Sequence, residues 1–445
     1  MVVVNIPWKS SCPALVSDEE SISFGNLREA LTSSAKGFAL KELEPGAPFP
    51  MQVGNAVGDV ILLLSVLARG AIAAPLNTRW PLEQVHRVSE RLVAPEPPLT
   101  SRAGQAPALE DDWRLIVHTS GSSGDSKAAM LSSANCSASA RTAIERLGLD
   151  TGDQWLLSLP LYHVGGIGIV MRCLSAGATI VALEAEESLE EALARYELTH
   201  VSLVATQLYR LLQHDKAAEA LAAMKAVLLG GGPAPERLVR QAVERGIPIY
   251  TSYGMTETAS MIACTMAGDS MEHLLSSGKA LVEETVSISD EGEILVRGEA
   301  LFEGYLQPDG TLDRPLTEDG WFATGDLGFL DDEGYLYVTG RRDTMFISGG
   351  ENIQPEEIEK HLFALEEVEE AMVVAVDDDE WGQRPVAYVR MASGGPPDAG
   401  RLVEELRDVL PGYMIPQTIF PWPEDAATTG IKARRVDFAR RARGT

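Results

Sequence analysis

Thr119-Ser120-Gly121-Ser122-Ser123-Gly124-Asp125-Ser126-Lys127 sets five hydroxyl residues and two glycines ahead of a lysine. Glycine lets the backbone close on an anion, the hydroxyls add donors, and the lysine supplies a point charge. That chemistry suits a polyphosphate, so the ligand it predicts is a nucleotide. The Walker loop spaces its glycines farther apart and puts lysine directly after the second. Here Gly121 and Gly124 are close and Ser126 precedes Lys127. By itself the run reads equally well as a flexible surface turn.

Working outward, the loop follows an apolar stretch over 114–118 that reads as a strand. Further strands are expected over 179–183, 201–204, 226–229 and 247–250, alternating with helices over 189–196, 207–213 and 235–245. Such alternation predicts parallel α/β layers. From Thr285 the texture changes to β-forming runs over 286–289, 293–297 and 335–339, separated by Asp-Glu-Gly turns, as in a smaller antiparallel sheet. Beyond Asp343 a compact α+β unit is expected, with helices near 355–364 and 399–410. The fold class is therefore α/β: a large amino-terminal domain of layered α/β subdomains plus a β-rich subdomain (1–342), and a small α+β carboxy-terminal domain (343–445).

Composition bounds the function classes. A chain of 445 residues is too long for one ordinary core. The net charge of −28 opposes nucleic acid and anionic membranes, so neither is an expected partner, and anionic ligands need local cations to override the global field. The cysteines at 12, 136, 173 and 264 form no CxxC pair and indicate neither a zinc site nor a disulfide framework. No secretory signal is evident at the amino terminus, and the apolar stretch 60–68 is too short to span a bilayer. A cytoplasmic location is the default expectation, and a homo-oligomer is compatible with it.

Further segments occur in order with the opening loop: Tyr253-Gly254-Met255-Thr256-Glu257-Thr258, Thr324-Gly325-Asp326, Gly340-Arg341-Arg342-Asp343 running into Ser348-Gly349-Gly350-Glu351-Asn352-Ile353, and Gly430-Ile431-Lys432. Together these resemble the acyl- and aryl-CoA synthetases of the adenylate-forming superfamily, over about 20–440. The resemblance implies small-molecule partners: a carboxylic acid, ATP with Mg²⁺, and CoA as co-substrate. Thr119, Ser120, Gly121, Ser122, Ser123, Gly124 and Lys127 would then hold the β- and γ-phosphates. Tyr253, Gly254 and Thr256 would line the nucleotide, with Thr256 on a phosphate and Glu257 on Mg²⁺; the alternative is a helix N-cap at Thr256 with an early-turn glutamate. Gly230, Gly231 and Gly232 would flank adenine, and Asp326 with Arg341 would hold the ribose hydroxyls.

By the same resemblance, Lys432 would stabilise charge passing between the acid and the α-phosphate, and Asp343 would be a hinge. Gly349 and Gly350 would line a tunnel for the pantetheine arm and Trp381 would contact CoA; otherwise they are a hairpin turn and a packing residue. Without the resemblance, Lys432 is one cation of a basic tail with Arg434 and Arg435.

The segments 155–163, 200–204, 206–208 and 348–357, with Arg172, look like one branch of that family, whose aromatic acid carries a second carboxylate. By that likeness His163 matches a gate beside the acid and Ser202 would lie in the same pocket, while Arg172 falls in an otherwise apolar run where an unpaired charge would be unfavourable. Departures are Met261, Asp125, and Ile431 between Gly430 and Lys432. Another aryl- or acyl-CoA ligase, or a non-catalytic adenylate-binding sensor, stay open at this point.

Overall fold

The computed structural model describes residues 6–34, 43–95, 109, 112–119, 127–183, 187–232, 234–424 and 435–443. The α/β alternation builds one sheet with the order Lys279–Ala280, Ser260–Cys264, Ile249–Met255, Ala226–Leu229, His200–Leu203, Gln154–Leu156, Thr179–Val181, Pro13–Val16, Ser21–Ser23. Its centre is parallel: Ala226–Leu229 pairs with both His200–Leu203 and Ile249–Met255 in that sense. Every residue of Ala226–Leu229 is buried, the continuous apolar run expected where both faces are covered. The strand expected over 247–250 starts later and continues to Met255, then turns back antiparallel into Ser260–Cys264. Gly254 permits that return: a Cβ there would collide with the Ser260 carbonyl.

A second sheet carries the opening loop. Arg114–His118 pairs parallel with Ile72–Leu76 and antiparallel with Ala128–Ser132, so the loop joins two hairpin strands instead of leading into a helix. The Thr119 N–H donates to the Lys127 carbonyl at 2.9 Å and closes the loop base. After Ala128–Ser132 the chain enters the helix Ser133–Leu147, whose N-cap Ser132 accepts from the Asn135 N–H and whose end is turned by Gly148 at φ 64°.

The β-rich part is a sheet of Glu284–Ile288, Glu293–Gly298, Phe322–Leu330 and Leu336–Arg341. Its tight turns rest on Gly292 and Gly334 at φ 80° and 84°. The expected helix over 399–410 forms as Ala399–Arg407, and that over 355–364 as Pro355–Ala364. This last part of the chain packs a cluster of its own around Phe346, Ile358, Leu362, Val373, Leu402 and Ile419, whereas the largest cluster of the preceding part runs from Ile6 to Leu336. The molecule is thus α/β with a large amino-terminal and a small carboxy-terminal part. Among the described residues no helix is long and apolar enough to cross a membrane, and all four cysteines are free thiols.

Arg435, the described cation of the basic tail, is not a solvated charge. Arg435 Nη1 lies 2.5 Å from Glu359 Oε1 and Nη2 lies 2.9 Å from Glu356 Oε1, and Nη1 also donates to the Val373 carbonyl. Burial alone would lower its pKa, but Glu359 and Glu356 hold it above the ordinary arginine value. Lys432 and Arg434 lie outside the described residues.

Candidate active site

The segment from Tyr253 to Ser260 reaches three distant parts of the chain. At its start, the Tyr253 hydroxyl donates to Asp326 Oδ2 at 2.6 Å. The other carboxylate oxygen, Oδ1, is 3.1 Å from Arg341 Nη1, and Arg341 Nε is 2.9 Å from Asp343 Oδ1. Strand register makes this pairing: Asp326 stands opposite Arg341 between Phe322–Leu330 and Leu336–Arg341. Burial and then the Asp326 charge push the Tyr253 hydroxyl well above its usual pKa, so it stays a donor. Burial tends to lower Arg341, but Asp343 and Asp326 hold it above its ordinary value. Each carboxylate oxygen can accept more than one hydrogen bond, which leaves Asp326 able to take sugar hydroxyls.

At its middle, Thr256–Thr258 forms a single 3₁₀ turn. The N-cap expectation for Thr256 does not hold; Met255 is the residue before the turn. Thr258 makes the local bonds, its Oγ1 accepting from the Met255 N–H at 3.0 Å and donating to the Ser260 carbonyl at 2.7 Å. Glu257 is buried, and its Oε1 accepts from the Tyr305 hydroxyl at 2.6 Å. Lys127 Nζ lies 4.6 Å from the centroid of the Tyr305 ring, a cation-π contact that puts the loop's lysine and the glutamate on the same tyrosine. Burial, with Glu257 adding to it, raises the Tyr305 hydroxyl above its ordinary pKa and keeps its proton directed at the carboxylate. Among the described residues no cluster of three or more His, Cys, Asp or Glu side chains is placed to hold a metal by itself. A single buried carboxylate oxygen donor beside a polyphosphate fits Mg²⁺, which keeps several waters and uses one or two carboxylates with substrate phosphates.

At its end, Ser260 Oγ accepts from Arg172 Nη2 at 2.8 Å. Arg172 sits in the helix Val164–Ala176 at 1% exposure, with its guanidinium 5.4 Å from the Trp155 ring centroid. Trp155 in turn stacks on His200, 5.1 Å between centroids. Among the described residues no carboxylate forms an ion pair with Arg172, and its Nε has no hydrogen-bond partner. Burial lowers its pKa to about 10, so it remains a cation at neutral pH. A desolvated cation without a counter-ion is unfavourable, and an anion brought beside it would offset that cost.

The remaining expected positions distribute as follows. His163 is the N-cap of Val164–Ala176, its ring 4.6 Å from that of Tyr162. Gly166 makes this tight entry feasible, because a Cβ there would run into the Leu159 and Pro160 carbonyls. Ser202 is buried on the central strand, its Oγ unpartnered among the described residues. Gly230 follows Ala226–Leu229, with Gly231 at φ 84° and open space at Gly232. Gly349 and Gly350, at φ 59° and 89°, form the two-residue turn between Phe346–Ser348 and Glu351–Ile353. The Gly349 N–H donates to the Trp381 carbonyl at 2.9 Å, and the Trp381 ring occupies the space a Cβ would need. The hairpin reading therefore holds, with Trp381 packed on the turn. Residues 120–126 lie outside the described residues, so Ser120, Gly121, Ser122, Ser123 and Gly124 have no place in this geometry.

Residues 87–306 match the family model described as AMP-binding enzyme, and 357–430 match its C-terminal domain. A Bacillus cytotoxicus protein named 2-succinylbenzoate-CoA ligase is 33% identical over 441 residues, covering 92% of this chain and 91% of its own. This chain belongs to the AMP-binding enzyme family. A Listeria monocytogenes member with the same name is 38% identical over 323 residues, with 71% and 68% covered. Among solved AMP-binding enzymes, a substituted E. coli MenE with bound OSB-AMS superposes with TM-score 0.86 at 31% identity, covering 100% of this chain and 99% of that one. Bacillus subtilis o-succinylbenzoate CoA synthetase with its acyl-adenylate intermediate OSB-AMP gives 0.82 at 28% identity, with 96% and 95% covered.

Two residues of this AMP-binding enzyme site escaped sequence reasoning. Tyr305 stands in an unremarkable Glu303-Gly304-Tyr305 stretch, and only the pairing of Gly304–Leu306 with Ala128–Ser132 brings its hydroxyl to Glu257. Ser260 closely follows the Tyr253–Thr258 motif, but nothing in its spacing connects it with Arg172, which precedes it by 88 residues.

Proposed function

We propose that this chain is a 2-succinylbenzoate-CoA ligase that acts through an acyl-adenylate. Attack of one carboxylate of the acid on the α-phosphorus of ATP gives 2-succinylbenzoyl-AMP and pyrophosphate, and the CoA thiol then displaces AMP to give the thioester. In this reading the activity belongs to menaquinone synthesis. The observation that carries the choice of acid is Arg172, a buried guanidinium lacking a carboxylate partner among the described residues. A dianionic acid supplies that partner through its second carboxylate, while its first is consumed in the chemistry.

In this reading Lys127 and Thr119 border the phosphates with residues 120–124, and Asp326 with Arg341 takes the ribose. Gly230, Gly231 and Gly232 leave room for adenine, and Gly254 with Thr256 lies along the phosphates. Mg²⁺, when bound at Glu257, supplies neutralisation of phosphate charge; Tyr305 orients that carboxylate. His163 and Ser202 would line the acid pocket, Lys432 would serve adenylation, and Gly349, Gly350 and Trp381 would serve CoA. The domains would be 1–342 and 343–445, turning about Asp343, whose bond to Arg341 links the hinge to the ribose site.

The deciding experiment measures pyrophosphate release with ATP and Mg²⁺ across a panel of acids, with and without CoA, followed by mass analysis of the thioester. Selective turnover of 2-succinylbenzoate is expected. Selective turnover of another acid would replace the substrate, and ATP binding without any turnover would replace the enzyme by a sensor. Glu257→Gln should raise the Mg²⁺ concentration for half-maximal pyrophosphate release by about tenfold or more. An unchanged Mg²⁺ dependence would remove Glu257 from the metal.

A further inference from the structure

The turn that carries Glu257 ends in strained backbone. Ala259 has φ 51° and Ser260 φ 141°, both in the region L side chains rarely adopt, and neither is glycine. Surrounding structure has to maintain such a conformation, and it does: Thr258 Oγ1 donates to the Ser260 carbonyl, and Gly254 clears space for that carbonyl. Strain of about 1–3 kcal/mol per residue persists where the geometry has a use. The side chain delivered by this geometry is the Ser260 hydroxyl, half-buried and 2.8 Å from Arg172 Nη2.

The surroundings are arranged for the same contact. Gly168, one turn earlier on the helix of Arg172, would place a Cβ 3.3 Å from Arg172 Nη2 and 3.3 Å from Ser260 Oγ, so a larger residue would press on both partners. The Trp155 ring lies under the guanidinium, its centroid 5.4 Å from the guanidinium carbon, and is stacked on His200. A guanidinium has five N–H donors in a rigid fork, so engaging Nη2 fixes where the others point.

Resting on the ligase reading above, we propose that Ser260 is a specificity-determining positioning residue: its hydroxyl orients Arg172 toward the second carboxylate of the acid, and the strained backbone after the Glu257 turn holds that hydroxyl in place. Neither a phosphate nor the reacting carboxyl needs Ser260. Its loss therefore acts on the acid and spares ATP.

The test compares Ser260→Gly and Ser260→Ala with the unsubstituted enzyme by pyrophosphate release. Glycine adopts the observed φ without strain, so Ser260→Gly should melt at the same temperature or higher, which excludes misfolding as the explanation. In both variants KM for 2-succinylbenzoate should rise about tenfold, the loss expected for a charge-assisted hydrogen bond. KM for ATP and kcat should stay within about twofold. In an Arg172→Met background Ser260→Gly should add nothing to the KM of the acid, because the partner it orients is gone. An unchanged KM for the acid, or an equal rise for ATP and acid, would overturn the proposal while leaving the ligase reading intact. No turnover of any acid by the unsubstituted protein would overturn both.

Discussion

Arg172→Met is expected to raise KM for 2-succinylbenzoate on the order of 100-fold, the effect of removing one partner from a buried, hydrogen-bonded charge pair. Turnover of a monocarboxylate aromatic acid should change little, since it has no second carboxylate to lose. Methionine is chosen because it fills much of the same volume without a charge. The guanidinium is fully desolvated, with Ser260 and the face of Trp155 as its partners, and replacing a buried ion by an apolar residue of similar size is often neutral or stabilising. The melting temperature of the apo-protein should therefore hold or rise while acid selectivity collapses. The extra thermal stability that 2-succinylbenzoate confers on the unsubstituted protein should disappear. Equal effects on both acids, or a sharp loss of stability, would reassign Arg172 to a structural role.

Lys432→Ala should lower adenylation by about 10²–10³-fold, the scale of removing a preorganised donor from developing charge. It should leave conversion of supplied 2-succinylbenzoyl-AMP and CoA to the thioester within about twofold, because that step breaks the acyl C–O bond and makes or breaks no bond at phosphorus. The two half-reactions are read separately by pyrophosphate release and by thioester formation. Parallel loss of both would count against the role carried to Lys432 by the resemblance. Arg435 is the control: its bonds to Glu356, Glu359 and the Val373 carbonyl anchor the chain just after this segment, so replacing it should lower stability as well as activity.

Much of the architecture was legible because it follows from local constraints. Gly349-Gly350 implied a tight hairpin since two successive positive-φ residues are what that turn needs, and the structure has it. The run Ala226–Leu229 reads as a strand from its continuous apolar character, and the helices over Pro355–Ala364 and Glu236–Glu244 fall where their boundaries were expected to within a few residues. Errors arose where local pattern was overruled by a longer contact. The strand ending near Tyr250 continues to Met255 because Ser260–Cys264 pairs with it, and the capping hydroxyl is that of Thr258, not Thr256, because the turn closes on the Ser260 carbonyl. His163 enters a helix whose tight start depends on absent side chains at Gly165 and Gly166.

Sequence alone therefore determined the chemical inventory: a hydroxyl- and glycine-rich loop with Lys127, carboxylates at Glu257 and Asp326, and a charge at Arg172 in apolar surroundings. These are properties of residue type and near neighbours, which the chain carries wherever it folds. Tertiary structure alone decided the pairings: Lys127 over Tyr305 and Tyr305 on Glu257, Tyr253 on Asp326, and Ser260 on Arg172. Each joins side chains from different strands, helices or loops, and such contacts are set by strand order and register, which residue spacing does not encode. The strained φ at Ser260 is likewise invisible in the sequence, since serine gives no sign of it and only the packed neighbours Thr258 and Gly254 hold it there.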